Sequence, residues 1–169
     1  MSPRVTWTSL TDDQLLAQCD VDTYRASGPG GQKRNKTSSA VRLRHPPTGL
    51  IVIAEESRSQ HENKAKALKR LRKALFLELR EPADGQHAEW RAAVNGDGRV
   101  DVGRRDPRFW PAVGVALDVL AAHDGRVSDA AAALGVSTGN LVGFLEEDPK
   151  VWQQANMLRA KFGQKPLKA

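Results

Sequence analysis

Residues 41–79 constrain the fold more than any other stretch, because two runs of strand period are followed at once by a run of helix period. Val41-Arg42-Leu43-Arg44-His45 alternates apolar and basic side chains, which is the pattern of a strand with one buried and one charged face. Pro46-Pro47-Thr48-Gly49 is turn chemistry, and Leu50-Ile51-Val52-Ile53-Ala54 is the returning strand, so the two form a hairpin with a somewhat long loop. Ser59 and Glu62 then stand at the N-cap and N3 spacing of a capping box. Ala65, Leu68, Leu71, Leu75 and Leu79 recur three and four residues apart, an apolar stripe able to cover the sheet, with Lys64, Lys66, Lys69, Arg70, Arg72 and Lys73 around it. His45 has no partners at ligand spacing and reads as a strand-end residue. Glu81-Pro82-Ala83-Asp84-Gly85 ends the helix.

Upstream, Thr11-Asp12-Asp13-Gln14 fits a capping box opening a short helix through about Gln18, with Leu15 and Leu16 packed on the domain. Val21 to Arg25 reads as a strand that delivers the stretch Ser27-Gly28-Pro29-Gly30-Gly31-Gln32-Lys33-Arg34-Asn35-Lys36-Thr37, and Asn35 to Ala40 as a short helical turn leaving it. A loop this rich in glycine lets main-chain N–H groups approach a charged group closely. Gln32 offers a donor and an acceptor but is no general base, so any part in chemistry is positional or electrostatic: orienting a water or holding a developing charge. Lys33, Arg34 and Lys36 supply the charge expected near phosphates. The P-loop pattern fails because Lys33 follows Gln32 and precedes Arg34, and the dinucleotide pattern fails because the sixth position from Gly28 is Lys33.

From Asp22 to about Leu79 the ordered blocks RASGPGGQ, NKTSSAVR, H-x-PTGLIV and SRSQHENKAKAL resemble the catalytic domain of bacterial-type class I peptide chain release factors and of their codon-independent relatives that rescue stalled ribosomes. The resemblance covers about a third of the chain. It implies hydrolysis of the ester joining a nascent peptide to transfer RNA in the peptidyl-transferase centre, with Gly30, Gly31 and Gln32 as the catalytic loop. The Gln32 backbone N–H would stabilise the transition state or leaving oxygen, its side chain would help admit and place water, and ribosomal RNA would supply the rest of the site. The resemblance also places Arg58, Ser59 and Gln60 close to ribosomal RNA and makes Gln32 a candidate for methylation by a glutamine methyltransferase. This chain departs from the family in carrying Lys33-Arg34 where many members have a His-Val or similar pair, which adds charge beside the loop.

Net charge is +6, unevenly placed. Residues 1–23 carry one Arg against four Asp, residues 24–80 carry 14 Lys and Arg against four Glu, and residues 81–169 carry 11 against 12. A concentrated basic segment beside a glycine-rich loop points to RNA, with salt-sensitive binding, and makes Arg25, Arg42, Arg44, Lys64 and Lys66 further candidate contacts. The chain has no apolar run long enough to span a membrane and no signal-peptide plan, and its single Cys19 permits no internal disulfide, which suits a reducing cytoplasm.

Residues 82–105 read as a polar linker, and Asn95-Gly96-Asp97-Gly98-Arg99-Val100-Asp101 as a turn, since it lacks the glutamate and glycine register of a calcium loop. Helices are expected at about 109–123, 129–134, 138–147 and 149–162. Residues 128–141 resemble a helix-turn-helix, with Gly135 to Ser137 as the turn and Leu141, Phe144 and Leu145 facing inward. The would-be recognition helix has no Lys or Arg and ends Glu146-Glu147-Asp148, so a helical packing module is expected rather than a DNA reader. Trp110, Trp152 and Phe162 are expected in its core. The tail from Arg159 to Lys168 has four cations and no acids, but is shorter and less basic than the extended tails by which some rescue hydrolases probe an empty messenger channel.

The expected architecture is α+β. A small catalytic domain over 1–81, with a short antiparallel or mixed sheet packed by a long helix, precedes the linker and an all-α helix-turn-helix-like module over 106–169. Only 29 residues precede Gly30, too few for a codon-reading domain. The expected function is codon-independent, ribosome-dependent peptidyl-tRNA hydrolysis without metal or cofactor. Its alternatives are a non-catalytic ribosome- or RNA-binding protein and a helix-turn-helix regulator.

Overall fold

In the computed structural model, which describes residues 3–25, 38–83 and 87–168, the period-2 stretch of residues 40–54 forms the middle and one edge of an antiparallel sheet. Strands β1 (Asp20–Tyr24), β2 (Ala40–His45) and β3 (Leu50–Ala54) lie in that order. Val21 pairs with Leu43 and Leu43 with Val52, fixing the register. The alternation of β2 sorts its faces as expected: Val41, Leu43 and His45 are buried, Arg42 and Arg44 exposed. On β3 the unbroken apolar run is split as well, and Ile51 and Ile53, partners of Arg44 and Arg42, stand 56% and 43% exposed on the outer face. The reason is that residues in register on neighbouring strands share a face, so these isoleucines lie beside the arginines whatever their hydropathy.

The chain divides into two compact units, Met1–Leu75 and Phe76–Ala169. In the first, helix α1 (Pro3–Thr8) leads to α2 (Asp12–Ala17), opened by the reciprocal capping box of Thr11 and Gln14, in which each backbone N–H meets the other side chain at 2.9 and 3.2 Å. Helix α3 (Gln60–Leu77) buries Ala67, Leu68, Leu71, Ala74 and Leu75 together with Leu15, Val41, Leu43 and Ala54. The inward stripe therefore runs through Ala67, whereas Ala65 is exposed on the opposite side of the helix. Ser59 caps α3 as expected, its Oγ accepting from the Glu62 N–H at 3.2 Å, but the Glu62 carboxylate turns to the Ser57 hydroxyl instead of closing the box. The helix stops at Leu77, before Pro82 requires it. Arg72 ties it to the α1–α2 joint through the Leu10 carbonyl at 2.8 Å and Asp12 at 2.7 Å. Ala40, expected in a helical turn, instead opens β2 because Tyr24 takes it as a ladder partner, and Ser38 and Ser39 form no helix; residues 35–37 lie outside the described residues.

The second unit is helical. Helices α4 (Ala88–Ala93), α5 (Phe109–Ala122), α6 (Val127–Leu134), α7 (Thr138–Leu145) and α8 (Pro149–Lys161) surround a core of Trp90, Phe109, Leu117, Leu120, Leu141, Phe144, Leu145 and Val151. Helix α5 is the axis, buried from Ala112 to Leu120. The stretch 82–105, expected as a polar linker, holds α4 and an isolated bridge between Val94 and Val100, and buries Trp90, Val100 and Val102. Trp90 donates its indole N–H to the Leu134 carbonyl at 3.0 Å and meets Phe144 edge-on, so one large side chain anchors a segment otherwise polar in composition. Residues 95–98 make the expected turn, with Asn95 Oδ1 accepting from the N–H groups of Asp97 and Arg99. Leu141, Phe144 and Leu145 face inward, whereas Trp110 and Trp152 are half-buried and Phe162 is 37% exposed, its ring beneath Lys161 at the end of α8. The tail folds back: Arg159 donates to the Lys165 carbonyl and Asn156 accepts from the Leu167 N–H. Among the described residues no helix is long and apolar enough to cross a membrane.

Candidate functional site

Tyr24, at the end of β1, pairs with Ala40, at the start of β2. Arg25 and Ser38-Ser39 therefore stand at one end of the sheet, on either side of residues 26–37. Those twelve positions lie outside the described residues, and with them the expected catalytic Gly30, Gly31 and Gln32 and the cations Lys33, Arg34 and Lys36. What the structure does show is how both flanks are held. On the incoming side the Tyr24 hydroxyl donates to Glu55 Oε2 at 3.2 Å; burial, then the adjacent carboxylate, pushes the phenol pKa up. On the outgoing side Gln60 Nε2 donates to the Ser38 carbonyl at 2.8 Å, and Asn63 Nδ2 to the Ser39 carbonyl at 2.7 Å.

Asn63 is the most committed of these groups. It is fully buried on the inward face of α3, one turn before Ala67, and also bonds the backbone of Ser57 in both directions, Nδ2 to O at 2.9 Å and N to Oδ1 at 3.0 Å. A buried carboxamide is tolerated only when its bonds are made, and these are. Beside it the Ser39 hydroxyl is buried and has no hydrogen-bond partner among the described residues.

The expected RNA-contacting side chains divide into engaged and unengaged groups. Arg42 lies against Asp22 Oδ2 at 2.6 Å, and that hydrogen bond raises its already high pKa. Arg70 takes Glu56 at 2.7 Å and the Ile53 carbonyl, so Glu56 is held below its ordinary pKa chiefly by Arg70; Lys66 stands 4.0 Å from the same carboxylate. Ser59 and Gln60 are occupied by the cap and by Ser38. Arg25, Arg44 and Arg58 are exposed and Lys64 half-buried, none with an ion pair among the described residues. Arg58 lies in the bend before α3 and Lys64 in its second turn, close in sequence to the Gln60 and Asn63 that hold Ser38 and Ser39.

The RF-1 domain matches residues 15–106, more than half of the chain, and the chain belongs to that family. It is 53% identical over 78 residues to Peptide chain release factor 1 of Magnetococcus marinus, covering 46% of this chain and 22% of that protein. It is also 53% identical over 91 residues to the protein of the same name from Erythrobacter litoralis, covering 51% and 26%. The chain thus spans about a quarter of the length of these relatives.

Asn63, Tyr24 and Glu55, which hold the two flanks of residues 26–37, were not among the residues singled out from the sequence. A signal for Asn63 was present: it falls four residues before Ala67 and eight before Leu71, a polar residue on the inward stripe. For Tyr24 and Glu55 none was, because their contact depends on the strand register.

Proposed function

We propose that this protein hydrolyses the ester of peptidyl-tRNA on the ribosome, as a release-factor-type hydrolase, and that it does so without reading a codon, on stalled ribosomes or free large subunits. The observation that carries this reading is the RF-1 domain match over residues 15–106, which encloses the Gly30-Gly31-Gln32 tripeptide. Release-factor names among the relatives support the reaction class. The codon-independent part rests on the resemblance of the blocks RASGPGGQ, NKTSSAVR and SRSQHENKAKAL to the codon-independent rescue relatives as well as to the release factors. In this reading the Gln32 backbone N–H stabilises the oxygen on which charge develops and its carboxamide places the attacking water, which is electrostatic and positional catalysis by a neutral group. Arg58 and Lys64, with Lys33, Arg34 and Lys36, meet ribosomal RNA. The partners are the large-subunit peptidyl-transferase centre, peptidyl-tRNA, and a methyltransferase acting on Gln32.

The test is release of labelled peptide from purified ribosomes stalled on a truncated messenger. Wild type is expected to release it, and Gln32→Ala to slow release by about a hundredfold or more while keeping its circular dichroism. Unchanged release by the variant would overturn the role of Gln32. Salt-sensitive ribosome binding with no release by wild type would favour the non-catalytic RNA-binding alternative. A helix-turn-helix regulator is disfavoured by α7, whose sequence TGNLVGFL presents no cation to a phosphate backbone.

A further inference from the structure

We propose that Asn63 is a positioning residue for the Gly30-Gly31-Gln32 segment, acting with Gln60 as an amide clamp that sets where that segment re-enters the sheet. The inference deepens the release reading and rests on it. Three observations carry it. The clamp grips the backbone carbonyls of Ser38 and Ser39, the two residues between the expected catalytic stretch and β2. Both amides project from the first turn of α3, an 18-residue helix whose Leu71 and Leu75 are fully buried, so the grip is referred to a rigid body. Asn63 also holds Ser57 N and O, and Ser57 lies just beyond β3, so a single carboxamide joins the end of the sheet to the flank of the loop.

The chemistry requires an amide. The Asn63 carboxamide donates to two carbonyls and accepts from one N–H, which a carboxylate of the same size cannot do: it has no donor, and its charge would face the oxygens of Ser39 and Ser57. A residue needed only for packing on this stripe would be apolar, like Ala67 and Leu71. Displacing a reacting group by about 1 Å costs on the order of a hundredfold in rate, so the clamp should act on turnover rather than on binding.

The experiment measures single-turnover peptide release against factor concentration for wild type, Asn63→Asp and Gln60→Met, with amide hydrogen exchange over residues 38–41 in the free proteins. Asn63→Asp is expected to lower release at saturating factor by about tenfold or more, and Gln60→Met by about threefold. The half-saturating concentration should stay within about twofold of wild type, a split that general destabilisation would not produce. Exchange over residues 38–41 should accelerate in both variants. Wild-type release at saturation, or a loss confined to the half-saturating concentration, would overturn the clamp. If Asn63→Asp does not fold, Gln60→Met decides, since its side chain is exposed and its one side-chain hydrogen bond among the described residues is to the Ser38 carbonyl. If wild type releases nothing, the release reading falls, and unchanged exchange in the variants would remove the clamp as well.

Discussion

His45 is an imidazole with no exposed surface, held at both ring nitrogens: Nδ1 lies 2.8 Å from Thr48 Oγ1 and Nε2 2.8 Å from Gln18 Oε1, with the edge of Trp7 against the ring. Both ring nitrogens therefore meet a side-chain oxygen inside the fold. Burial pushes the pKa below its ordinary 6.5, so the unfolded chain takes up a proton first as pH falls. The stability that His45 contributes is complete above about pH 6.5 and is lost as pH drops through that value and then through the lower folded one. Thermal unfolding of the first unit is therefore expected to move to lower temperature between pH 7 and pH 5, and His45→Gln to flatten that dependence. His45 was legible in the sequence as a strand-end residue because Pro46 follows it. Its bond to Gln18 was not, since it joins the strand to a residue 27 positions earlier through a packing that no local pattern encodes.

Helices α5 to α8 could be read from the sequence nearly to the residue, because each is periodic and bounded by an ordinary signal: Gly135 after α6, Ser137 before α7, Asp148-Pro149 opening α8. Helix α4 could not, since six residues with one large apolar side chain give no measurable period. Nor could the difference between two glycines that share a left-handed backbone. Gly135 has φ of +73° and open space where a Cβ would lie, whereas Gly125 has φ of +76° and would place a Cβ 3.0 Å from the Cα of Arg159 on α8. Arg159 also donates to the Gly125 carbonyl at 2.6 Å, so the α5–α6 turn and α8 are in close backbone contact. Gly135→Ala should lower stability by about 1 kcal/mol, the backbone term alone. Gly125→Ala should lower it by about 2–3 kcal/mol, backbone and overlap together. Urea unfolding of the two variants reads the difference directly, and equal losses would mean that α8 yields without cost.

At the scale of the whole molecule, the +10 of residues 24–80 is not all available to a partner. Asp12, Asp22 and Glu56 take up Arg72, Arg42 and Arg70, which turns part of the basic charge into internal fastening. The two groups of arginines should fail differently. Arg44→Glu and Arg58→Glu should each weaken ribosome binding and lower its logarithmic salt slope by about one, with the fold unchanged. Arg72→Glu, which loses Asp12 and the Leu10 carbonyl, should lower the melting temperature of the first unit by several degrees. Net charge by segment, all that a sequence offers, cannot separate these groups because each pairing spans 14 to 60 positions of chain. The indoles are divided as well: Trp7 alone belongs to the first unit, edge-on to His45, while Trp90, Trp110 and Trp152 belong to the second, with Trp90 sealed against Phe144. The protein thus carries a native pair of optical labels. Acid quenching of Trp7 by a protonated His45 would report the first unit, a red shift of Trp90 emission would report the second, and one fluorescence titration would tell whether the two melt together.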